Sequence, residues 1–380
     1  MRIGIDYTAA VRQGAGIGRY CRELIRALAR LDSGNSYVLL VAGRLPPAES
    51  EALRADFERY PNFAFRSLLL NERWLNRLWH RLQVPWPVEG FAGRLDLFHS
   101  PDFTLPPALR AKKILTVHDL SFLRVPQYAD PRLREYLQTV VPRSVRQADL
   151  ILANSQHTKE DLISCLRVPS ERVIVVLPGV EARFEPVADE GELDRVRARY
   201  NLEKPFILGL GTLEPRKNFE GLIEAYHLLR SRTRIPHQLV IGGRKGWLYE
   251  GIFRRVEELG LGDAVHFLGF VADEDLPALY TLADVFAFPS FYEGFGIPVL
   301  EAMACGTPVV ASNAASLPEA VGEAGLMVTP GDVEALAGAL ERVLQDRPLR
   351  EELIARGRER ARCFTWERAA QELLRAYQST

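Results

Sequence analysis

The chain has 380 residues, 47% of them apolar, and its 48 Lys and Arg residues nearly balance 49 Asp and Glu residues. This length favours two domains, and the even charge argues against a nucleic-acid-binding protein. The sequence contains no apolar run long enough to predict a transmembrane helix. Met1–Asp6 has the pattern of a short strand, not a signal peptide, and the four cysteines form no Cys-x-x-Cys pair. We therefore expect a cytoplasmic protein with reduced thiols.

Short apolar runs alternate with helical patterns along the chain, which predicts an α/β fold with parallel sheets. Strands are predicted at 2–6, 37–42, 63–65, 96–99, 113–117, 149–153 and 173–177, and then at 206–211, 238–242, 264–268, 284–288, 308–311 and 325–328. A mostly charged segment, 181–204, predicts the linker. We expect two facing, Rossmann-like doubly wound domains, 1–183 and 184–364, with ligand at the carboxyl ends of the strands.

A glycine-rich loop, Gly14-Ala15-Gly16-Ile17-Gly18, follows the first predicted strand and precedes an amphipathic helix predicted over 19–31. Its spacing is not the Gly-x-Gly-x-x-Gly of a dinucleotide-binding fingerprint, so the loop alone is weak evidence of a site. Beside a cleft, however, glycine allows the backbone to approach a ligand closely.

Residues 72–82 predict an amphipathic helix. At about 100° per residue, one face collects Trp and Leu and the other collects Arg and His. The apolar face holds Trp74, Leu75, Leu78, Trp79 and Leu82, and the polar face holds Arg73, Arg77, His80 and Arg81. Two interpretations stay open: the apolar face packs on its own domain, or it contacts an anionic lipid surface.

Residues 115–122 predict a strand that runs into a loop, with His118 at the carboxyl end of the strand. A lone histidine is more often structural than functional, but this position faces the predicted crevice. Asp119 either orients the imidazole or caps the next turn, and we favour capping.

Residues 209–218 lie where the first strand of the second domain gives way to a helix, and they include Arg216 and Lys217. A helix N-terminus is unfavourable for two cations unless an anion joins them. A guanidinium fork and an ammonium both suit phosphate. The alternative is an ordinary exposed basic pair.

The acidic triplet Asp273-Glu274-Asp275 has an Asp-x-Asp pattern that can hold a divalent metal ion. It also opens a helix predicted over 273–282, where acidic residues cap the N-terminus and favour the first turn. We predict the capping role. Histidines and cysteines form no cluster at metal-ligand spacing, so no metal site is expected.

The most informative segment, 289–310, contains a strand end, a glycine turn, a helix and the next strand. Gly294 and Gly296 leave backbone N–H groups free at a helix N-terminus, which can bind an anion. Gly306 is placed to end the helix. Two carboxylates bracket this turn, Glu293 before the helix and Glu301 inside it. This arrangement suits a sugar nucleotide, because the amides can bind its phosphate and each carboxylate can bind one of the hydroxyl-rich parts on either side.

The order of residues in 289–310 resembles the signature of the retaining glycosyltransferases of family 4, which has two glutamates at this spacing. The resemblance spans nearly the whole chain. It is closest to the mannosyltransferase-like branch, which shares the motifs Gly-Ile-Gly-Arg-Tyr and Gly-Thr-Leu-Glu-Pro-Arg-Lys-Asn, here 16–20 and 211–218. It implies the GT-B architecture, in which a C-terminal helix, here 365–380, crosses back to the acceptor-side first domain.

The resemblance also implies the roles of the site residues. Arg216 and Lys217 bind the diphosphate together with the helix that begins near Gly296, Glu301 binds the ribose and Glu293 the sugar. His118 lies beside the donor sugar and the acceptor hydroxyl. The implied catalytic residues are thus His118, Arg216, Lys217 and Glu293. The other implied donor-binding residues are Gly16, Gly18, Gly294, Phe295, Gly296, Ile297 and Glu301.

The implied reaction moves a hexose, with mannose the best guess, from a nucleoside diphosphate sugar such as GDP-mannose or a UDP-hexose. The acceptor is a hydroxyl of a glycan or lipid-linked sugar, the anomeric configuration is retained, and neither metal nor other cofactor takes part. Contact through 72–82 would place the enzyme on the inner face of the plasma membrane. The alternatives are an epimerase or hydrolase on the same fold, a non-catalytic nucleotide-sugar-binding protein, and a dehydrogenase, which the missing dinucleotide fingerprint disfavours.

Overall fold

The structure is a computed structural model that describes residues 1–14 and 16–380. In these residues thirteen strands form two parallel sheets. The first contains β1 (Arg2–Asp6), β2 (Ser36–Val41), β3 (Phe63–Ser67), β4 (Leu97–Ser100), β5 (Lys112–Val117), β6 (Leu150–Ala153) and β7 (Val173–Val175). The second contains β8 (Phe206–Leu210), β9 (Gln238–Gly242), β10 (Val265–Gly269), β11 (Val285–Phe288), β12 (Val309–Ser312) and β13 (Leu326–Val328). Every predicted strand is confirmed.

Helices connect the strands. In the first part of the chain they are α1 (Thr8–Arg12), α2 (Ile17–Leu31), α3 (Pro47–Phe57), α4 (Glu72–Asn76), α5 (Glu89–Ala92), α6 (Ser121–Arg124), α7 (Pro131–Gln147) and α8 (Gln156–Leu166). The remaining helices are α9 (Glu190–Tyr200), α10 (Phe219–Arg232), α11 (Glu250–Glu258), α12 (Leu276–Leu282), α13 (Ile297–Ala304), α14 (Leu317–Val321), α15 (Val333–Gln345), α16 (Arg347–Arg362) and α17 (Trp366–Gln378).

Both sheets are doubly wound. The strand orders are β3-β2-β1-β4-β5-β6-β7 and β10-β9-β8-β11-β12-β13. In each sheet the direction of winding reverses beside its first strand, between β1 and β4 and between β8 and β11. Ligands of doubly wound folds bind at such a switch point, outside the carboxyl ends of the strands. The loops after these four strands are therefore where site residues are expected.

The chain divides into two compact units. The first unit contains Met1–Leu123, Pro131–Gly179 and Thr365–Thr380, and the second unit contains Arg124–Asp130 and Val180–Phe364. The C-terminal helix α17 thus returns to the first unit, as expected. Thr365 caps it by accepting a hydrogen bond from Arg368 N at 3.2 Å. Its Tyr377 hydroxyl lies 2.8 Å from His99 Nδ1 of β4.

Two segments differ from the predicted domain organisation. Part of the expected linker is the helix α9, whose Leu193, Val196 and Tyr200 are buried in the core of the second unit. Their spacing places them on one helical face, so the segment packs although most of its residues are charged. Residues 124–130 belong to the second unit, where Tyr128 stacks on Phe291 with ring centroids 4.6 Å apart.

Residues 72–82 do not form one regular amphipathic helix. After α4 the backbone widens into a π-helical turn, Arg77–Arg81, in which Leu82 N donates to Arg77 O at 2.9 Å. The extra residue rotates later side chains away from their expected direction. His80, predicted on the polar face, is buried, while Trp74 is 52% exposed and Leu82 65% exposed. Among the described residues no helix is long and apolar enough to cross a membrane.

The acidic triplet forms a 3₁₀ turn, Asp273–Asp275, before α12, and the predicted capping role is wrong for Asp275. This residue is fully buried and makes no side-chain cap. Instead its Oδ2 accepts a hydrogen bond from Tyr200 at 2.7 Å, and Arg195 and Arg199 pair with the carboxylate. A buried charge requires such partners. Because these partners lie on α9, the carboxylate attaches α9 to the core of the second unit.

Candidate active site

The loop after β8 presents Arg216 and Lys217. It forms a 3₁₀ turn, Pro215–Lys217, and Asn218 then adopts a left-handed conformation (φ 56°) before α10 begins. The Asn218 side chain donates to Pro289 O at 3.1 Å, and Phe291 N donates to Arg216 O at 2.8 Å. These bonds connect the loop after β8 to the loop after β11, which is the neighbouring strand at the switch point.

Glu293 joins the two cations. Its Oε1 lies 2.6 Å from Lys217 Nζ, and its Oε2 lies 3.1 Å from an Arg216 guanidinium nitrogen. Burial by itself would raise the pKa of this carboxyl, but Lys217 and Arg216 outweigh it and lower the pKa to about 2. Glu293 is therefore an anion throughout the physiological pH range. The protein's own carboxylate is the anion that the two cations at a helix start require.

Glu214 is a fourth member of this group, and the sequence interpretation missed it. Its Oε1 lies 2.5 Å from Arg216, and its side chain is buried. We call Glu214, Arg216, Lys217 and Glu293 the Glu293 cluster. The sequence did contain a signal for it, because this acidic residue stands two positions before Arg216. With Glu214 on one side and Glu293 on the other, the Arg216 guanidinium is held in one orientation.

The turn from Glu293 to α13 has the predicted geometry. Gly296 has φ 105°, and an added Cβ would lie 2.6 Å from a Leu317 methyl group, so only glycine fits. The helix ends as predicted, because Gly306 N donates to Met303 O and Thr307 N donates to Ala302 O, the bonding pattern of a Schellman motif. Its first-turn amide groups follow the Glu293 cluster directly in the chain.

Two residues of this turn differ in what they can offer a ligand. Phe295 is buried in the core, and its ring lies 5.5 Å from that of Phe364. A ligand at this turn could therefore contact Phe295 only through its backbone. Ile297 is half-buried and packs against the same core.

Glu301 lies on α13 and is buried. Its Oε2 accepts a hydrogen bond from the Tyr280 hydroxyl of α12 at 3.0 Å. This contact orients the carboxylate of Glu301. Tyr280 is a second residue that the sequence interpretation missed, and no local pattern indicates it because the contact depends on the packing of α12 against α13.

In the first unit, His118 follows β5 and is almost fully buried. Its Nε2 lies 2.7 Å from Pro101 O, so Nε2 carries the proton and Nδ1 keeps a lone pair. Burial lowers the pKa of His118, so the ring is neutral at pH 7. Asp119 caps the next turn, accepting from Ser121 N at 2.8 Å, and this prediction is confirmed. The Pro101 carbonyl therefore fixes the orientation of the imidazole.

The glycine loop before α2 gives its two candidate glycines different positions. Gly16 is exposed, has φ 56° and has open space where a Cβ would be. Gly18 is buried, and a Cβ there would lie 2.0 Å from Gln13 O, so close packing of α1 and α2 explains this glycine. Ala15, which directly precedes Gly16 in the motif, lies outside the described residues.

The Glu293 cluster places two cations, each paired with a carboxylate, at the switch point of the second sheet, next to the N-terminus of α13. Such a group can hold a diphosphate and stabilise the charge that it gains as a leaving group. In the ranges 1–14 and 16–380, no group of three or more His, Cys, Asp or Glu side chains has the geometry of a metal site.

Comparison with known proteins identifies the family. The chain matches the family models "Glycosyltransferase Family 4" over residues 14–184 and "Glycosyl transferases group 1" over residues 192–360. It is 36% identical to the O-antigen chain mannosyltransferase B of Escherichia coli over 373 residues, which are 95% of each chain.

Solved structures agree on the fold. Sucrose-phosphate synthase from Thermosynechococcus elongatus has a TM-score of 0.76 at 25% identity, over 100% of this chain and 98% of that one. Anabaena HepE, solved with UDP and glucose, has a TM-score of 0.75 at 20% identity, over 100% and 99% of the two chains. The chain belongs to the family 4 glycosyltransferases and has their GT-B fold.

Proposed function

We propose that this glycosyltransferase moves mannose from a nucleoside diphosphate sugar to a hydroxyl of a glycan or lipid-linked acceptor, with retention at the anomeric carbon. The observation that supports it most is the Glu293 cluster, in which the buried Glu293 holds the half-buried Arg216 and Lys217 at the switch point of the second sheet. The choice of mannose is supported by the mannosyltransferase that matches 95% of the chain. That relative also makes O-antigen assembly the best candidate process.

The donor diphosphate would take over the two cations from Glu293. Phosphate oxygens carry more charge than one carboxylate and match the guanidinium fork, so Lys217 and Arg216 would bind them in preference. Glu293 would then be free to accept hydrogen bonds from the hydroxyls of the sugar. Glu301, held by Tyr280, would accept those of the ribose.

The chemical step would follow front-face attack. The bond from the anomeric carbon to the phosphate oxygen breaks, the bond to the acceptor oxygen forms on the same face, and the departing phosphate takes the acceptor proton. Arg216 and Lys217 would stabilise the negative charge of the leaving diphosphate, which makes a metal ion unnecessary. The neutral His118 would accept a hydrogen bond from a sugar hydroxyl through Nδ1.

A thermal-shift screen combined with a transfer assay tests this function. GDP-mannose, UDP-glucose and UDP-GlcNAc are compared, each with and without EDTA. A donor at about 100 times its Kd adds about 2.7 kcal/mol of stability. We expect GDP-mannose to give the largest shift and transfer to persist in EDTA. Release of free sugar or of an epimer without acceptor would support a hydrolase or epimerase, and binding without any turnover would support a binding protein.

Contact with a lipid-linked acceptor is proposed for the outer surface of 72–86. Trp74, Leu82 and Trp86 are exposed large apolar side chains there, and Arg77 lies over the Trp74 ring at 5.6 Å. Arg73 and Arg81 are exposed beside them. Exposed tryptophan with arginine suits the headgroup region of an anionic bilayer.

Co-sedimentation with liposomes tests this contact. Because each arginine near an anionic surface contributes about 1 kcal/mol, binding should require anionic lipid and weaken with salt. It should fall in an Arg73/Arg77/Arg81→Ser variant. The matched control replaces the exposed Arg347, Arg356 and Arg362 of the second unit with serine. Equal loss of binding in both variants, or binding to neutral liposomes, would contradict a local lipid contact.

A further inference from the structure

The first unit contains a cavity of about 360 Å³ at the carboxyl ends of β1, β2 and β4. Small-molecule sites typically measure about 300–1,000 Å³, so a sugar ring would fit. The cavity lies at the switch point between β1 and β4, where doubly wound sheets bind ligands. The donor residues discussed above, from Arg216 to Glu301, belong to the second unit and do not line it.

Three carboxylic acids line this cavity, Asp6, Glu72 and Asp102. Gln13 Nε2 donates to Asp102 Oδ2 at 3.2 Å, and Thr8 N donates to Asp6 Oδ1 at 3.0 Å. Burial and the nearby Asp6 raise the pKa of Asp102 to about 7, and burial also raises the pKa values of Asp6 and Glu72. No Lys or Arg is among the described residues of the wall. The wall therefore offers oxygen atoms to hydroxyl groups and no cation to an anion.

An independent observation points to a ligand. Tyr136 of α7 also lines the cavity, and its buried hydroxyl oxygen has no hydrogen-bond partner within 1–14 and 16–380. The charges of Asp102 and Glu72 act on this hydroxyl and, with burial, raise the pKa of Tyr136 to about 12. A buried polar group without a partner is costly, and a bound hydroxyl group would satisfy it.

The remaining wall is apolar and leads towards His118. Leu75, Trp79 and Phe103 supply flat or branched surfaces suited to the C–H face of a sugar ring. The Phe103 ring packs edge-on against His118, with centroids 5.5 Å apart. His80 also lines the cavity, and burial lowers its pKa to about 4, so it is uncharged at pH 7.

We propose that this cavity, in the unit that the resemblance implies to be acceptor-side, selects an uncharged, hydroxyl-rich sugar ring over a phosphorylated one as the terminal group of the acceptor. This proposal rests on the proposed function, which it deepens by giving the class of acceptor. Carboxylates and a tyrosine hydroxyl bond to sugar hydroxyls, and the absence of a cation from the described wall leaves a phosphate without a partner. A metal ion is not the occupant that we propose, because the described residues form no group with metal-binding geometry.

The sharpest test is Tyr136→Phe, with Tyr7→Phe as a matched control. Each change removes one buried hydroxyl that has no partner among the residues that the structure describes, and Tyr7 is not among the described residues of the cavity wall. Neither change should lower the unfolding temperature, because no hydrogen bond within the protein is lost. Tyr136→Phe should raise the KM for methyl α-mannoside as acceptor about 3–10-fold, and Tyr7→Phe should leave it unchanged. Equal KM values in the two variants would overturn the proposal.

Charge selectivity is tested with a second probe. The wild-type protein should bind methyl α-mannoside at least about tenfold more tightly than mannose 6-phosphate, and Asp102→Asn should narrow this ratio. Equal affinities in the wild type would overturn the proposal. Saturation-transfer NMR measures these affinities without a donor. If the wild type transfers no sugar, the proposed function fails, while the binding data still decide for or against the cavity.

Discussion

Replacing Lys217 with alanine should lower kcat about 100–1,000-fold while the KM for the donor changes only a few fold. The cation lies 2.6 Å from Glu293 in the free protein, so part of its interaction with the ground-state donor is offset by loss of that ion pair. The leaving diphosphate gains negative charge only as the glycosidic bond breaks. An interaction that strengthens in the transition state acts on kcat.

Steady-state kinetics at saturating donor measures this effect. Lys204→Ala is the matched control, since Lys204 is an exposed lysine in the same unit and outside the site. It should retain wild-type kcat. A Lys217→Ala enzyme that turns over normally at saturation but requires far more donor would show that the cation serves ground-state binding, contrary to the proposed role.

Glu293→Gln should destabilise the protein by about 3 kcal/mol at pH 7, and the difference from wild type should shrink in acid. The pKa of Glu293 lies at about 2 in the folded protein and at 4.5 ordinarily. Because the folded pKa is the lower one, the stabilisation is complete above pH 4.5 and is lost as the pH falls towards 2. A difference of this size between the two pKa values corresponds to about 3 kcal/mol of unfolding free energy.

Urea unfolding at pH 7 and at pH 3.5 checks this prediction. A difference in unfolding free energy between wild type and variant that stays constant with pH would contradict it.

Free nucleoside diphosphate should stabilise Glu293→Gln at least as much as wild type, because it supplies the missing negative charge. Glu301→Gln should instead lose about 1.5–3 kcal/mol of affinity for the free diphosphate, since the ribose loses a charged partner. If both variants bind the diphosphate equally poorly, the proposed division of roles is wrong.

The sequence by itself determined the features that depend on neighbours along the chain. The apolar runs of buried parallel strands predicted every strand, because such runs need no knowledge of the partner strand. Gly306 predicted the end of α13, and Asp119 predicted its own cap, because both bonds close within a few residues. Thr365 predicted the start of α17 for the same reason.

The prediction of a regular helix over 72–82 was wrong because it assumed one rotation per residue along the whole segment. The π-helical turn Arg77–Arg81 alters the rotation per residue, so His80 points inward and Leu82 outward. Similarly, Asp275 was predicted to cap α12 but pairs with Arg195 and Arg199 of α9. For Asp275, contacts with a distant segment outweighed a weak local preference.

What only the tertiary structure decided is how distant residues combine. Glu293 meets Lys217 because β8 and β11 are neighbours at the switch point, although β9 and β10 lie between them in the chain. Tyr136 of α7 lines the same cavity as Asp6 of β1 for a comparable reason. Local patterns determine which backbone conformation has the lowest free energy. Strand order and burial determine which charged groups lie together in a low-dielectric interior. The chemistry of both candidate sites depends on strand order and burial.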